Sequence, residues 1–202
     1  MSAPTVREQR RRGRRRSETA RKAVLDAAAD LLLVQGLEAV SMDAVAEHAS
    51  VSKATIYRWW PTKETLALDA LYREWDTAAP SPRDTGSLRA DLIALLRPWI
   101  QRVQARPYGR VVAALITKAQ TDPEFAKEYG ARFVEPRRDP ARVLIRRAIE
   151  RGEVPTDTDI ELALDLLYGP LYHRLLHRHA SLNDRFVRDV VDATLQGLGT
   201  PK

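Results

Sequence analysis

The chain has 202 residues, 44% hydrophobic and 30% charged, enough apolar material to bury a core and too much for disorder throughout. It contains no cysteine, which excludes disulfide frameworks, thiolate metal sites and cysteine nucleophiles, and fits a reducing cytoplasm. The formal net charge of +6 is concentrated: the first 22 residues carry nine Arg or Lys against two Glu, which leaves the rest of the chain at −1.

Residues 1–18 read as a disordered basic arm in which Arg14, Arg15 and Arg16 suit a polyanion, because each neutralised phosphate releases condensed counterions. The apolar run AVLDAAADLLLV that follows is interrupted by Asp26 and Asp30, unlike a signal peptide, and no run is long enough to cross a bilayer. Val24, Ala27, Ala28, Leu31 and Leu32 recur at helical spacing, and Gly36 stops that helix. Ser41 caps a short helix that carries Val45 and Ala46 inward. After a turn at Ala49–Val51, Ser52 caps a second helix through Trp60, which Pro61 ends, and Thr62 caps a third from Lys63 to about Trp75. AAPSPRDTG, residues 78–86, has the composition of a linker.

Beyond the linker, Leu88, Leu92, Leu95, Leu96 and Trp99 mark an amphipathic helix, and Val111–Ala119 a more apolar one. Asp122 and Pro123 open a helix that runs to about Arg151, kinked or interrupted at Pro136 and Pro140. Gly152 and Pro155 break the chain before two final helices, Ile160–Arg178 and Arg185–Leu198. No strand alternation or repeat competes, so the fold class is all-α with roughly nine helices.

The informative stretch is ASVSKATIYRWWPTKETL, residues 49–66, where aromatic and cationic side chains alternate. Two short helices joined by a tight turn have the dimensions of a helix-turn-helix, whose second helix enters the major groove. Helical geometry puts Val51, Ile56 and Trp60 on an inward face and Lys53, Ala54, Tyr57 and Arg58 on another. Small Ala54 and Thr55 allow close approach to bases, and Thr55 can bond a base or phosphate or touch a thymine methyl. Lys53 and Arg58 supply charge, and Tyr57 a hydroxyl on a rigid stem. Lys63 stands at a helix start, where free N–H groups also favour an anion.

On these residues the chain resembles the TetR/AcrR family of bacterial transcriptional regulators. SMDAVAEHASVSKATIYRWWPTKETL is similar to that family's N-terminal signature, with Ser41, Ala46, Val51, Ser52, Thr55, Tyr57, Trp60, Lys63 and Leu66 as landmarks, and the likeness covers about residues 20–70. LALDLLYGPLYHRLL also resembles one group of the family's effector domains. The resemblance implies a helix-turn-helix domain over residues 19–66 joined to a helical effector-binding and dimerisation domain over 67–202. It implies a homodimeric repressor that a small, apolar effector releases from a palindromic double-stranded DNA operator, with no cofactor and no membrane partner. An activator or effector-independent regulator of the same architecture is the alternative, or a helical ligand-binding protein without DNA binding. By position, Ser41 would contact phosphate; Ser52, Lys53, Ala54 and Thr55 would face bases or flanking backbone; Tyr57, Trp59 and Lys63 would touch phosphates; Trp60 would pack the recognition helix down. The basic arm would enter the minor groove. Two positions depart from the pattern: Ser50 replaces the usual turn glycine, and Trp59 replaces a smaller ring.

In the remaining chain, Leu164, Leu167, Leu171 and Leu175, with Phe186, Val190, Ala193 and Leu198, are candidates for a symmetric four-helix dimer interface. Trp75, Trp99, Tyr108, Phe125, Tyr129, Phe133 and Tyr172 are candidates for a ligand pocket. His173 and His177 share a helical face, but their Arg neighbours and the lack of a nearby carboxylate pair argue against a metal. Phosphate loops, nucleophile elbows and metalloprotease spacings are absent from the sequence.

Overall fold

The computed structural model describes residues 6–76, 83–105 and 107–199; the side chains of 6–16, 74–76 and 105 lie outside the description. The described residues form helices and no strand, in the order α1 (Val6–Gln35), α2 (Met42–His48), α3 (Lys53–Tyr57), α4 (Lys63–Asp76), α5 (Leu88–Ala105), α6 (Tyr108–Thr121), α7 (Pro123–Tyr129), α8 (Glu135–Glu150), α9 (Ile160–His177) and α10 (Asp184–Leu198). A π-helical stretch, Gly130–Val134, joins α7 to α8 without a break.

They divide into two compact units, Met1–Glu74 and Trp75–Lys202. In the first, α1 begins at Val6, so the arm expected to be disordered over 1–18 is helical from that residue on. Arg, Gln and Glu are good helix formers, and no proline follows Pro4 until Pro61. The side chains of Arg14, Arg15 and Arg16 lie outside the described residues.

The division falls in the last turn of α4 rather than after residue 66, and Asp69 and Arg73 tie that half of α4 to α1. Leu66, Leu68 and Leu71 are buried, Arg73 pairs with Asp26 at 2.9 Å and donates to the Lys22 carbonyl, and Arg21 reaches Asp69 at 3.3 Å. Of the expected linker, residues 78–82 lie outside the described residues; Arg83–Ser87 is non-helical, with Gly86 at φ 80°.

In the second unit α5 packs on α6, α8 and α10, and α9 on α6, α8 and α10. Asp122, Asp159 and Asn183 cap α7, α9 and α10, each side-chain oxygen accepting an N–H three residues on. The Pro123–Glu150 segment is one helical path, as its spacing predicts, but Pro136 and Pro140 do not interrupt it. The irregularity lies just upstream, where the Glu135 N–H bonds the Gly130 carbonyl five residues back. This wider turn absorbs the missing N–H of Pro136, which sits in the first turn of α8.

The expected dimer residues need correction. Leu164, Leu167 and Leu171 are fully buried inside their own chain, and Leu175 and Val190 nearly so. They face α5, α6, α8 and each other's helices, where the densest apolar stripe must go to close a single-chain core. Phe186 is half-buried with the Arg174 guanidinium 3.2 Å from its ring centre; Leu198 is half-buried and Ala193 exposed. The apolar side chains left exposed on α9 are Leu162, Leu166 and Leu176, at 54%, 43% and 43%.

Candidate nucleic-acid interface

α2 and α3 form a helix-turn-helix. α2 starts at Ser41, whose Oγ accepts from the Ala44 N–H at 3.1 Å, and ends in a reversed loop: the Val51 N–H bonds the Ala46 carbonyl and the Ser50 N–H the Glu47 carbonyl. That double bond pattern needs a left-handed residue at its corner, and Ser50 takes it at φ 53°. The departure noted in the sequence is thus a real strained position, costing about 1 kcal/mol relative to glycine.

α3 is shorter than the sequence suggests, ending at Tyr57 rather than Trp60, although the Trp60 N–H still bonds the Ile56 carbonyl before Pro61 stops the chain. Ser52 caps it, accepting from the Thr55 N–H at 3.2 Å, and the Ser52 and Thr55 hydroxyls share a 2.8 Å hydrogen bond. The outer face carries exposed Ser52, Lys53, Ala54, Tyr57 and Arg58, with Thr55 half-buried beside them. Lys53 bridges to Asp43 on α2 at 2.8 Å, a hydrogen bond that raises its pKa and holds it cationic. The Arg58 guanidinium lies 4.8 Å from the centre of the Trp59 ring, and Trp59 meets Trp60 edge-on at 5.6 Å. Trp59 therefore acts as a shelf that aims Arg58.

Ile56 and Trp60 are buried as predicted. A polar contact not foreseen from the residues fixes Trp60: its indole N–H donates to buried Asp69 on α4 at 2.8 Å, and Arg21 of α1 reaches the same carboxylate oxygen. Lys63 also differs from expectation. Its ammonium donates to the Leu37 and Glu38 carbonyls at 3.1 and 3.4 Å, pinning the α1–α2 loop, so a phosphate contact falls to its remaining N–H. The sequence-predicted residues Ser41, Ser52, Lys53, Ala54, Thr55, Tyr57 and Arg58 are brought together on α2 and α3, offering hydroxyl, ammonium and guanidinium donors around one small-residue surface.

The second unit holds a solvent-open cavity of about 420 Å³ between α6, the end of α7, the π-helical stretch, α8 and α9. Of the seven residues predicted for a pocket, Tyr129 and Tyr172 form its wall, and Trp99 borders an adjoining void of about 10 Å³. Tyr108, Phe125 and Phe133 are core residues behind the wall, and the side chain of Trp75 lies outside the described residues. Arg137 and Tyr168, which the sequence reading missed, line both hollows. Arg137 is buried, donates to the Tyr108 hydroxyl at 2.6 Å and the Phe133 carbonyl at 3.2 Å, and has its guanidinium carbon 3.3 Å from the centre of the Phe133 ring. Its burial was readable in principle, since Phe133, Arg137, Ala141 and Leu144 recur at four, four and three residues. A larger groove of about 680 Å³, rimmed by exposed Arg110, Arg178 and Ala180, is about equally open to solvent. The rings of His173, His177 and His179 cluster at 4.5–6.5 Å, but no group among the described residues is arranged to hold a metal ion. None of the described helices is long and apolar enough to cross a membrane.

Comparison with known proteins agrees with this layout. Residues 24–70 match the family model for bacterial regulatory proteins of the tetR family, and residues 82–194 match the tetracyclin repressor-like C-terminal domain. The chain is 41% identical over 190 residues to the uncharacterized HTH-type transcriptional regulator YdeS of Bacillus subtilis, covering 94% of this chain and 95% of that one. It is 34% identical over 186 residues to the DNA-binding transcriptional repressor TetR of Mycobacteroides abscessus, covering 92% and 97%. Among solved structures, the TetR family transcription regulator SCO0332 superposes with a TM-score of 0.79 at 38% identity, covering 88% of this chain and 97% of that one. With a helix-turn-helix at one end and a family-typical helical unit at the other, the chain belongs to the TetR family and is a DNA-binding transcriptional regulator.

Proposed function

We propose that this regulator is a homodimeric repressor that a small molecule releases from a palindromic operator. The observation that carries the release is the 420 Å³ cavity in the second unit, which falls in the size range of small-molecule sites and is walled by three tyrosines. The boundary between the units lies inside α4, so one helix belongs to both the head and the effector unit. In the dimer two copies of α3 would read half-sites about one helical turn, roughly 34 Å, apart. Effector would favour a head separation that no longer fits that spacing, and by linkage operator must weaken effector binding by the same factor. Dimerisation would use the exposed stripe of α9 formed by Leu162, Leu166, Gly169, His173 and Leu176, spaced at four, three, four and three residues. The residues of the head, Tyr57 above all, would hold the phosphate backbone while Lys53, Ala54 and Thr55 meet the bases.

Selection of bound sequences from random DNA tests operator recognition, palindromy and half-site spacing together. Tyr57→Ala is expected to lower affinity for the selected operator about tenfold or more through a lost phosphate contact, and Lys63→Ala to lower it through loss of the loop anchor. If both variants bind like the parent protein, this head is not the DNA-reading surface.

A further inference from the structure

The cavity's lining is chemically one-sided. Its buried cation is a donor: the Arg137 guanidinium carries N–H groups only, whereas Arg138, the second cation of the lining, already pairs with Asp165 and Glu161. Asp165, the one carboxylate among the described lining residues, is held by Arg138 at 2.6 Å. Behind Arg137, Tyr168 and Tyr172, the adjoining void of about 10 Å³ reaches Trp99, whose ring centre is 5.3 Å from that of Tyr172. Trp99 is only 4% exposed, and its indole N–H meets no acceptor among the described residues. An indole N–H can only donate, and a buried one without an acceptor is costly. The void is about large enough for one oxygen-sized group.

Ile116, Val134 and Leu176 supply an apolar wall opposite this polar corner, and Tyr129 and Tyr172 supply flat aromatic faces. Burial raises the pKa of all three tyrosines, so they stay neutral phenols and add no negative charge beside the guanidinium. The Tyr168 hydroxyl already donates to the Arg137 carbonyl at 2.8 Å, which fixes the helix turn that aims the guanidinium.

We infer that the effector is a small organic anion, a monocarboxylate with an apolar or aromatic body, rather than a purely apolar molecule. One carboxylate oxygen lies against the Arg137 guanidinium, the other accepts from the Trp99 indole N–H, and the body rests on Tyr129, Tyr172, Ile116 and Val134. The two anchors come from different helices, α8 and α5, so a ligand that joins them also couples the helices. This inference rests on the reading of the cavity as the effector site, and its test separates the two.

The test uses the full-length protein and three probes, benzoate, phenylacetate and octanoate, each titrated calorimetrically beside its own carboxamide. At least one acid is expected to bind about tenfold or more tightly than its amide, the difference a charge-assisted hydrogen bond supplies. Trp99→Phe, which keeps the aromatic packing, should weaken that acid about fivefold or more and leave the amide unchanged. Arg137→Gln should abolish the acid–amide difference, and Arg137→Lys should restore part of it. Matching thermal melts of each variant with the parent confirm that the anchors, not the fold, have been removed. Equal binding of acid and amide, binding of neither by any pair, or an unchanged acid affinity in Trp99→Phe overturns the carboxylate assignment. If the acids bind as expected but leave operator affinity unchanged, the anion site stands and effector-driven release fails instead.

Discussion

Trp60 shows how one side chain can serve both packing and recognition. Its ring is buried, and its N–H donates to a carboxylate on α4 that Arg21 of α1 also reaches, so α1, α4 and the segment that follows α3 meet at Asp69. The ring alone could slide, whereas a directional bond fixes the height of α3 above α4. Trp60→Phe keeps most of the apolar burial and deletes the bond from the indole N–H to Asp69. We expect it to destabilise the chain by about 1–3 kcal/mol, read from chemical denaturation, and to weaken operator binding as well. A variant as stable as the parent would reduce Asp69 to a bystander. Ser50 is the opposite case, a residue that tolerates strain because the loop hydrogen bonds around it are fully made. Gly152 closes the same pattern after α8 at φ 74° without that cost.

At the scale of elements, α8 and α9 are joined by a charged lattice rather than by apolar contact alone. Arg138 and Arg142 both hold Glu161, at 3.0 and 2.6 Å, and Arg138 also holds Asp165. Hydrogen bonds from Arg142 and then Arg138 lower the Glu161 pKa to about 2 from its ordinary 4.5. A carboxylate whose folded pKa is depressed stabilises the fold above its unfolded value and loses that contribution as pH falls toward the folded one. The lattice should therefore weaken between about pH 4.5 and 2, and Glu161→Gln should flatten that part of an acid-denaturation profile. An identical profile in the variant would mean that other carboxylates set the acid limit.

These elements also show what the sequence could and could not convey. Helix starts were legible because Ser41, Ser52, Thr62 and Asp122 are capping residues followed by apolar periodicity, and the caps form as read. The outward and inward faces of α3 were legible for the same reason. The partners of Asp69 and Arg137 were not, because spacing can place a charge on an apolar face but does not name the group many residues distant that it bonds. The candidate dimer residues on α9 were misread for a third reason. That helix is apolar nearly all round, so periodicity found the stripe Leu164, Leu167, Leu171 and Leu175 but could not tell that it closes the chain's own core.

For the whole molecule, the consequence is that a second apolar stripe on α9 remains, and its position matters. Gly169 and Leu176 belong both to that stripe and to the lining of the cavity, so a second copy seated on α9 would cover one side of the proposed effector site. The proposed association and effector binding would then be linked by shared surface. Leu166 belongs to the stripe but not to the cavity lining, which makes it the position at which the two can be separated. Leu166→Glu places a charge in the proposed seam, costly to bury without a partner. Analytical ultracentrifugation is expected to show a monomer, while circular dichroism stays unchanged because the side chain is exposed in the single chain. Two tethered heads bind an operator with an effective-concentration gain of about 10²–10⁴ over one, so affinity for a full operator should fall by roughly that range and affinity for an isolated half-site should not change. A variant that remains dimeric would place the seam elsewhere on α9 and α10. One that becomes monomeric yet keeps full operator affinity would show that a single head suffices.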